Sequence, residues 1–189
     1  MTRYLVDTDV ISAAAPSTAA TRPEIVEWID AHSDDLFLSA VTIAEIADGI
    51  AKAKREGATR KASDLSAWLQ TVLHLYGDRV LPFDTPTAEI AGALADLARG
   101  RGHSPGFADV AIAATARHHG LTILSRNERH FAPMAVAVIV KNQRSPFNGS
   151  ENRKLHGRRR NDVPSTTHPT VEFEGTGTGR LYNATCATA

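Results

Sequence analysis

Alternating strand and helix signals along the first 140 residues constrain the fold more strongly than any other feature of this sequence. Short apolar runs are separated by amphipathic segments of about 10 to 15 residues, which predicts right-handed crossovers between parallel strands. We therefore predict an α/β fold, a three-layer α/β/α sandwich around a mostly parallel central sheet. The predicted strands cover 3–7, 35–41, 79–84, 121–125 and 136–140, and the predicted helices cover 23–32, 42–56, 62–77, 85–99 and 107–120.

Glycine and proline mark several ends of these predicted elements. Gly57 and Gly120 follow amphipathic segments and indicate helix C-termini. Thr85 and Pro86 predict an N-cap and the first helical residue, since proline fits that position without losing a hydrogen bond. Pro82 cannot donate to a neighbouring strand, so the strand around it is predicted to be short or to lie at an edge of the sheet.

The chain changes character at about Lys141. Residues 1–140 hold 13 Lys and Arg against 17 Asp and Glu, whereas residues 141–189 hold 8 against 4. The second stretch also contains three consecutive arginines, many turn-forming residues and few large apolar ones. We therefore predict a folded domain over 1–140 and a largely irregular, basic C-terminal tail over 141–189 that forms no domain of its own.

Composition narrows the class of protein. The 42% apolar and 22% charged residues are typical of a soluble globular chain. No apolar run approaches the roughly 18 residues that suggest a membrane-spanning helix, so no membrane association is expected. Cys186 is the only cysteine in the sequence. It excludes a disulfide framework and a thiolate zinc site, and it favours a cytoplasmic location.

Acidic and amide side chains stand where the predicted elements begin or end. Asp7 closes the first strand in "YLVDTDVI", with Asp9 two residues further on. Glu45 and Asp109 lie near the starts of two helices, and Asn127 follows a strand. In parallel α/β sheets, ligands bind beyond the carboxyl ends of the strands, so we expect these side chains to meet at one edge of the sheet.

Most of these residues also have a purely structural interpretation. Asp9 is able to accept a hydrogen bond in an Asx turn, and Glu45 stands three residues after Thr42 in the spacing of a capping box. Asp109 in a first helical turn would gain about 0.3–1 kcal/mol from the helix dipole, and Asn127 is an ordinary turn residue. Only the acid that closes the first strand has little structural purpose, so a functional role is favoured there.

A metal ion accounts for the whole set better than separate structural roles do. Three carboxylates and an amide that converge without a balancing Lys or Arg repel one another, and a divalent cation removes that cost. Oxygen ligands without cysteine or histidine suit Mg²⁺ or Mn²⁺ rather than Zn²⁺. Mg²⁺ takes only one or two carboxylates directly, which leaves positions for an attacking water and for the oxygens of a phosphodiester.

The motifs that carry these residues resemble the PIN-domain family, and more closely the VapC-type toxins of bacterial toxin–antitoxin pairs. They are "YLVDTDVIS", "LSAVTIAEIADGI", "VLPFD" and "FADVAIAATARHHGLTILSRNERHF" with the closing strand, and they run from about Tyr4 to Val140. The resemblance implies a PIN-like nuclease domain over 1–140. It also implies a metal-dependent ribonuclease toxin that acts on RNA, is neutralised by a cognate antitoxin and is usually a homodimer.

The resemblance also implies a role for each residue. The family's first acid falls on Asp7, its helical glutamate on Glu45, its third acid on Asp109 and its fourth polar position on Asn127. These four are the predicted catalytic residues. Asp7 and Asp109 are predicted to bind Mg²⁺, with Mn²⁺ as the alternative, while Glu45 orients the ion or a water and Asn127 completes the polar ring. Asp9 is predicted to support them or to cap a helix.

Two positions depart from the family pattern, and one neighbouring residue has two interpretations. Asp9 stands where asparagine is common, and Asn127 stands where many relatives carry aspartate. The missing carboxylate makes a second metal ion less favoured. His130 in "RNERHF" is either a general base or a surface histidine beside a strand, of which the second is the commoner case.

Further segments are candidate contacts with partners. Trp28, Ile46 and Ile50 are predicted to need cover, and an antitoxin segment that lies across them would also supply an arginine to the acidic site. The basic segments 52–61 and 100–103 are candidate RNA contacts, although solvated helix ends explain them equally well.

Two other functions fit parts of the sequence. A PIN fold without catalysis would be only a binding module, but it would be expected to lack Asp7 or Asp109, and both are present. The stretch "DTDVI" also resembles the D-x-D-x-[TV] opening of haloacid-dehalogenase-type phosphatases. Ile11 puts that pattern out of register, and residues 121–140 contain neither the lysine nor the Gly-Asp pair that such an enzyme needs.

Overall fold

The computed structural model describes residues 2–16 and 22–140, and its centre is a five-stranded sheet. The strands are β1 (Tyr4–Val6), β2 (Leu36–Ser39), β3 (Val80–Leu81), β4 (Thr122–Ser125) and β5 (Val138–Val140). They follow the order β3–β2–β1–β4–β5 across the sheet, and every neighbouring pair is parallel. Each predicted strand is found in a shorter form. Strand β3, which ends directly before Pro82, has only two residues and lies at an edge of the sheet, as predicted.

Helices connect the strands and cover both faces of the sheet, which confirms the predicted three-layer α/β/α sandwich. Within the described residues the α-helices are α1 (Thr8–Ile11), α2 (Pro23–Ala31), α3 (Ala40–Arg55), α4 (Thr59–Tyr76), α5 (Thr85–Gly100), α6 (Phe107–His119) and α7 (Glu128–Phe131). The short helices α1 and α7 were not predicted. Each occupies a turn directly after a central strand, and a four-residue helix is too short to show a hydrophobic period.

Alternate residues of β1 enter two separate hydrophobic clusters. Tyr4 and Val6 pack with residues of α2, α3 and α4 on one face of the sheet. Leu5 packs with residues of α5 and α6 on the other face. This division follows from the period of two in a strand, because successive side chains point to opposite faces. A strand buried on both faces can project polar groups only from its end, which is where Asp7 stands.

The first cluster also contains the residues that were expected to face an antitoxin. Trp28, Ile46 and Ile50 are only 8%, 7% and 7% exposed and pack within the chain's own core. The prediction that a partner covers them is therefore wrong. Helical periodicity identified an apolar face correctly, but this chain's own sheet and helices already cover it.

The helix that carries Glu45 begins earlier than predicted. It starts at Ala40, and its N-cap is Ser39, whose Oγ accepts a hydrogen bond from the Val41 amide at 3.2 Å. Thr42 is thus a buried residue inside the helix. The capping-box interpretation of Glu45 is wrong, which removes the main structural explanation for that glutamate.

At two other helix ends, one sequence signal is confirmed only in part and the other is confirmed in full. The N-cap of α5 is Asp84 and not Thr85: its Oδ1 accepts hydrogen bonds from the backbone N of Thr87 at 3.1 Å and from the Thr87 hydroxyl at 2.6 Å. Pro86 is consequently the second helical residue, one position later than predicted, although it still lies in the first turn. Gly120 ends α6 with a φ of 63°, a left-handed conformation that glycine adopts without the steric cost of a Cβ.

The predicted tail over 141–189 lies outside the described residues, so the division of the chain into a domain and a tail stays a prediction. In the parts that the structure does describe, no helix is both long enough and apolar enough to cross a membrane.

Candidate active site at the carboxyl edge of the sheet

Asp7 is fixed at the end of β1 by hydrogen bonds to both of its carboxylate oxygens. Its backbone N donates to the Leu124 carbonyl oxygen at 2.9 Å, which extends the pairing with β4 by one residue. Its Oδ1 accepts from the backbone N of Thr8 at 2.7 Å and caps α1. Its Oδ2 accepts from the Ser125 hydroxyl at 2.7 Å. The side chain is 7% exposed, so the first strand places an oriented carboxylate in a nearly dry position.

The electrostatic surroundings of Asp7 are unfavourable for a negative charge. They raise the pKa of its carboxyl to about 6. Burial away from water is the main cause, and the negative charges of Asp9 and Asp109 add to it. Hydrogen bonds from Ser125 and Thr8 oppose the increase. The charge of Asp109 contributes to this increase although 102 positions separate the two acids in the sequence.

Asp9 faces the turn after β4. Its two carboxylate oxygens lie 3.4 and 3.3 Å from the backbone N of Arg126, which donates to them. Burial raises the pKa of the Asp9 carboxyl, while the amide hydrogen bond and the charge of Arg126 oppose that effect. The cap of α1 is Asp7, so of the two roles predicted for Asp9 the supporting one fits this geometry and the capping one does not.

Glu45 joins the cluster through Thr8. The Thr8 hydroxyl donates to Glu45 Oε2 at 2.5 Å, and Thr8 directly follows Asp7. The glutamate itself is exposed on α3. A hydrogen bond between residues 37 positions apart therefore joins the second turn of α3 to the first residue of α1. It places the Glu45 carboxylate beside the residue that follows Asp7.

Asp109, Asn127 and His130 form the other side of the site. His130 Nδ1 lies 3.3 Å from Asp109 Oδ1, and its Nε2 lies 2.7 Å from Asn127 Nδ2. With Nδ1 protonated, the imidazole donates to the carboxylate and accepts from the amide. Asp109 is in the first turn of α6, and its side chain is one-quarter exposed. The dipole interpretation of that position still applies, but the contact with His130 ties Asp109 to the turn after β4 as well.

Ser125 links the two sides of the site and was not predicted. Besides donating to Asp7, its hydroxyl accepts a hydrogen bond from the backbone N of Asn127 at 2.9 Å. It is fully buried at the end of β4. The signal in the sequence was a small polar residue that closes the apolar run "LTILS". Thr8 was missed in the same way, because a hydroxyl between two acids has no distinctive pattern of its own.

The donor set fits a hard cation held by few protein ligands. Within residues 2–16 and 22–140, no three His, Cys, Asp or Glu side chains are grouped as a ready-made metal site. A Mg²⁺ ion needs only one or two carboxylates, because waters complete its octahedron. The Lys and Arg ion pairs in this part of the chain, Lys52–Glu56 and Arg99–Asp96, do not neutralise Asp7 or Asp109. The pair of carboxylates thus offers charge and oxygen ligands for such an ion.

Comparisons with known proteins agree with this architecture. A family model described as "PIN domain" matches residues 4–136. The chain is 35% identical over 139 residues to "Toxin FitB" of Neisseria gonorrhoeae (strain ATCC 700825 / FA 1090), a match that covers 71% of this chain and 95% of that protein. It is 33% identical over 139 residues to "VapC ribonuclease Y4jK" of Sinorhizobium fredii (strain NBRC 101917 / NGR234), covering 71% and 94%.

The fold is also similar to that of a solved relative. The crystal structure of FitAcB from Neisseria gonorrhoeae aligns with a TM-score of 0.63 and 36% sequence identity. The alignment covers 72% of this chain and 96% of that one. The similarity therefore extends over nearly the whole of the relative.

Proposed function

The chain belongs to the PIN-domain family, and we propose that it is a metal-dependent ribonuclease toxin that hydrolyses RNA phosphodiester bonds. The observation that carries this proposal is the buried carboxyl of Asp7, whose pKa is raised to about 6 beside two further acids. Burial and the neighbouring negative charges disfavour the charged form of Asp7, and this carboxyl stands at the end of a parallel strand, where ligands bind in α/β sheets. A divalent cation would convert this repulsion into attraction.

In this proposal Asp7 and Asp109 hold one Mg²⁺ ion, for which Mn²⁺ can substitute. The bound ion supplies electrostatic stabilisation to the phosphate and makes a water more acidic. The chain orients its ligands in advance, since Thr8 and Ser125 fix both oxygens of Asp7. Asn127 brings no charge to the site, so a single ion is favoured over two.

The other polar residues support these two ligands. Glu45, held by Thr8 at 2.5 Å, is proposed to orient the attacking water. His130 contacts Asp109 and Asn127 at once, so we assign it a positioning role instead of the general-base role considered from the sequence. Asp9 contributes negative charge and is itself held by the Arg126 amide.

Cleavage of a single-stranded RNA by the purified full chain tests the proposal. We expect cleavage with Mg²⁺ or Mn²⁺, none with EDTA, and a loss of about 100-fold or more in Asp109→Asn, with an unchanged circular dichroism spectrum. Asp48→Asn is the matched control, because Asp48 is an exposed acid on α3. Unfolding of Asp109→Asn would favour the helix-dipole role, and full cleavage by this variant would refute the role in metal binding.

The same experiment separates the enzyme from a PIN fold that only binds a partner. RNA binding without cleavage in Mg²⁺ would support that binding module, which remains the second candidate. The haloacid-dehalogenase-type alternative has no support once the chain is assigned to the PIN-domain family. The cytoplasmic location inferred from the cysteine count remains a prediction.

We further propose a cognate antitoxin as the partner and a homodimer as the assembly. The antitoxin is proposed to bring an arginine to the acidic edge, where a guanidinium competes with the cation for the same negative potential. Copurification of a small protein partner, together with a weaker uptake of Mn²⁺ by the complex, is the expected result. A complex that bound Mn²⁺ and cleaved RNA like the free toxin would contradict this mode of inhibition.

A further inference from the structure

Phe107 is exposed in a way that packing does not explain. Its side chain is 69% exposed, more than any other large apolar side chain that the described residues leave at the surface: Leu75, Leu97 and Val140. A single exposed apolar residue is normal. Phe107, however, is paired with a second ring from a distant segment, because Phe83 lies edge-to-face with it at 5.7 Å between ring centroids and 77° between ring planes.

Phe83 anchors this pair to the body of the protein. It is partly buried and packs against the hydrophobic cluster that contains residues of α5 and α6. Edge-to-face geometry is the preferred arrangement of two aromatic rings. The contact therefore holds Phe107 in place while most of its surface stays in water, and a fixed ring loses little conformational freedom when a ligand stacks on it.

The aromatic pair borders the acidic site. Phe83 lies two residues after β3, and Phe107 is the first residue of α6. Asp109 follows Phe107 by two residues, and its Oδ2 turns back to within 3.6 Å of the point where a Cβ on Gly106 would stand. Residues at positions i and i+2 of a helix point to different sides. The ring therefore lies close to Asp109 along the chain, in the first turn of the same helix, but outside the acidic cluster.

We propose that Phe107, held by Phe83, is a stacking platform for an RNA base next to the scissile phosphodiester. This inference rests on the ribonuclease function proposed above. Residues 1–140 carry 13 basic against 17 acidic side chains, so bulk charge does not attract RNA to this domain. Base stacking supplies affinity without a positive charge, and it works with every base because each has a π face.

The test is RNA binding by the full chain in EDTA, where cleavage does not occur. The probe is a fluorescein-labelled single-stranded RNA of mixed sequence, followed by anisotropy. Loss of one stacked base corresponds to about 5- to 150-fold weaker binding, which is the result expected for Phe107→Ala. Phe107→Leu keeps an apolar side chain without a π face and should bind equally weakly, whereas Phe107→Trp should bind at least as tightly as the wild type.

Leu75→Ala is the matched control, because Leu75 is 59% exposed and lies on α4. It should leave RNA binding unchanged. Full binding by Phe107→Ala, or full rescue by Phe107→Leu, would overturn the platform. The alternative is that the Phe107 ring belongs to an interface between two copies of this chain. Analytical ultracentrifugation of each variant tests it. If Phe107→Ala dissociates a dimer, the inference is wrong.

The two proposals fail in different ways. A wild-type chain that neither binds nor cleaves RNA would overturn the ribonuclease function and the platform together. A wild-type chain that cleaves RNA in Mg²⁺, while Phe107→Ala binds it equally well in EDTA, would overturn the platform alone.

Discussion

Replacing Asp7 with asparagine removes a buried charge while it keeps the shape of the side chain. Oδ1 of the native carboxylate accepts from the Thr8 amide and Oδ2 accepts from the Ser125 hydroxyl, each at 2.7 Å. An asparagine keeps the first hydrogen bond. It reverses the second, because its Nδ2 donates to a hydroxyl oxygen that has two acceptor positions. The variant therefore separates the charge of Asp7 from its helix cap and its packing.

The expected change in the free energy of unfolding follows from the pKa of Asp7. Its carboxyl has a pKa of about 6 in the folded chain against an ordinary value of 3.8, which corresponds to about 3 kcal/mol. Between these two values the folded chain binds more protons than the unfolded chain, so the free energy of unfolding falls as pH rises through this window. Above pH 6 the full cost of the buried charge is present. Asp7→Asn lacks this cost at every pH.

Urea denaturation in EDTA at pH 4 and at pH 7.5 measures the effect. We expect the wild type and Asp7→Asn to have similar stabilities at pH 4, and the variant to be more stable by up to about 3 kcal/mol at pH 7.5. Added Mg²⁺ should then stabilise only the wild type, by mass action. Asp48 is exposed on α3, so the difference in stability between Asp48→Asn and the wild type should be the same at both pH values. If Asp7→Asn is less stable than the wild type at pH 7.5 in EDTA, the carboxylate stabilises the fold and the reasoning fails.

Two further variants test other parts of the argument. Ser125→Ala removes a hydrogen bond that holds the pKa of Asp7 down. The pKa of Asp7 should therefore rise above its present value of about 6, which NMR titration of the carboxyl measures. Mn²⁺ binding should begin at a higher pH, which EPR of the Mn²⁺ ion measures. Gly120→Ala places a Cβ on a residue with a φ of 63°, which should cost roughly 1–2 kcal/mol in the free energy of unfolding by urea denaturation and leave Mn²⁺ binding unchanged.

The sequence predicted the fold class because its signals were long and repeated. Five apolar runs alternated with amphipathic segments, and all five appear as strands of one parallel sheet. Boundaries were less accurate where two capping residues were adjacent. Asp84 and Thr85 both suit an N-cap, and the carboxylate of Asp84 takes the position by accepting two hydrogen bonds from Thr87. Ser39 likewise ends β2 and caps α3, which therefore begins at Ala40, two residues before the predicted start.

Sequence patterns could not indicate which surface covers an apolar face. Ile46 and Ile50 recur at helical spacing, and the pattern is the same whether the partner is another protein or the chain's own sheet. In the structure, the chain's own sheet and helices cover both isoleucines. At Phe107 the sequence could not indicate exposure. A phenylalanine at the start of a helix suggests burial, and nothing in the pattern shows that this one is 69% exposed.

Strand register explains why the polar site was only partly predictable. In the β1–β4 pair, Tyr4 lies opposite Thr122 and Val6 lies opposite Leu124. The next residues along the two strands are Asp7 and Ser125, and the contact between them joins side chains 118 positions apart. A slip of one residue would turn every side chain of the strand to the other face, so the apolar residues that fix the register also fix this hydrogen bond. The acid was visible in the sequence as a charge at the end of a strand, but its partner becomes visible only once the register is known.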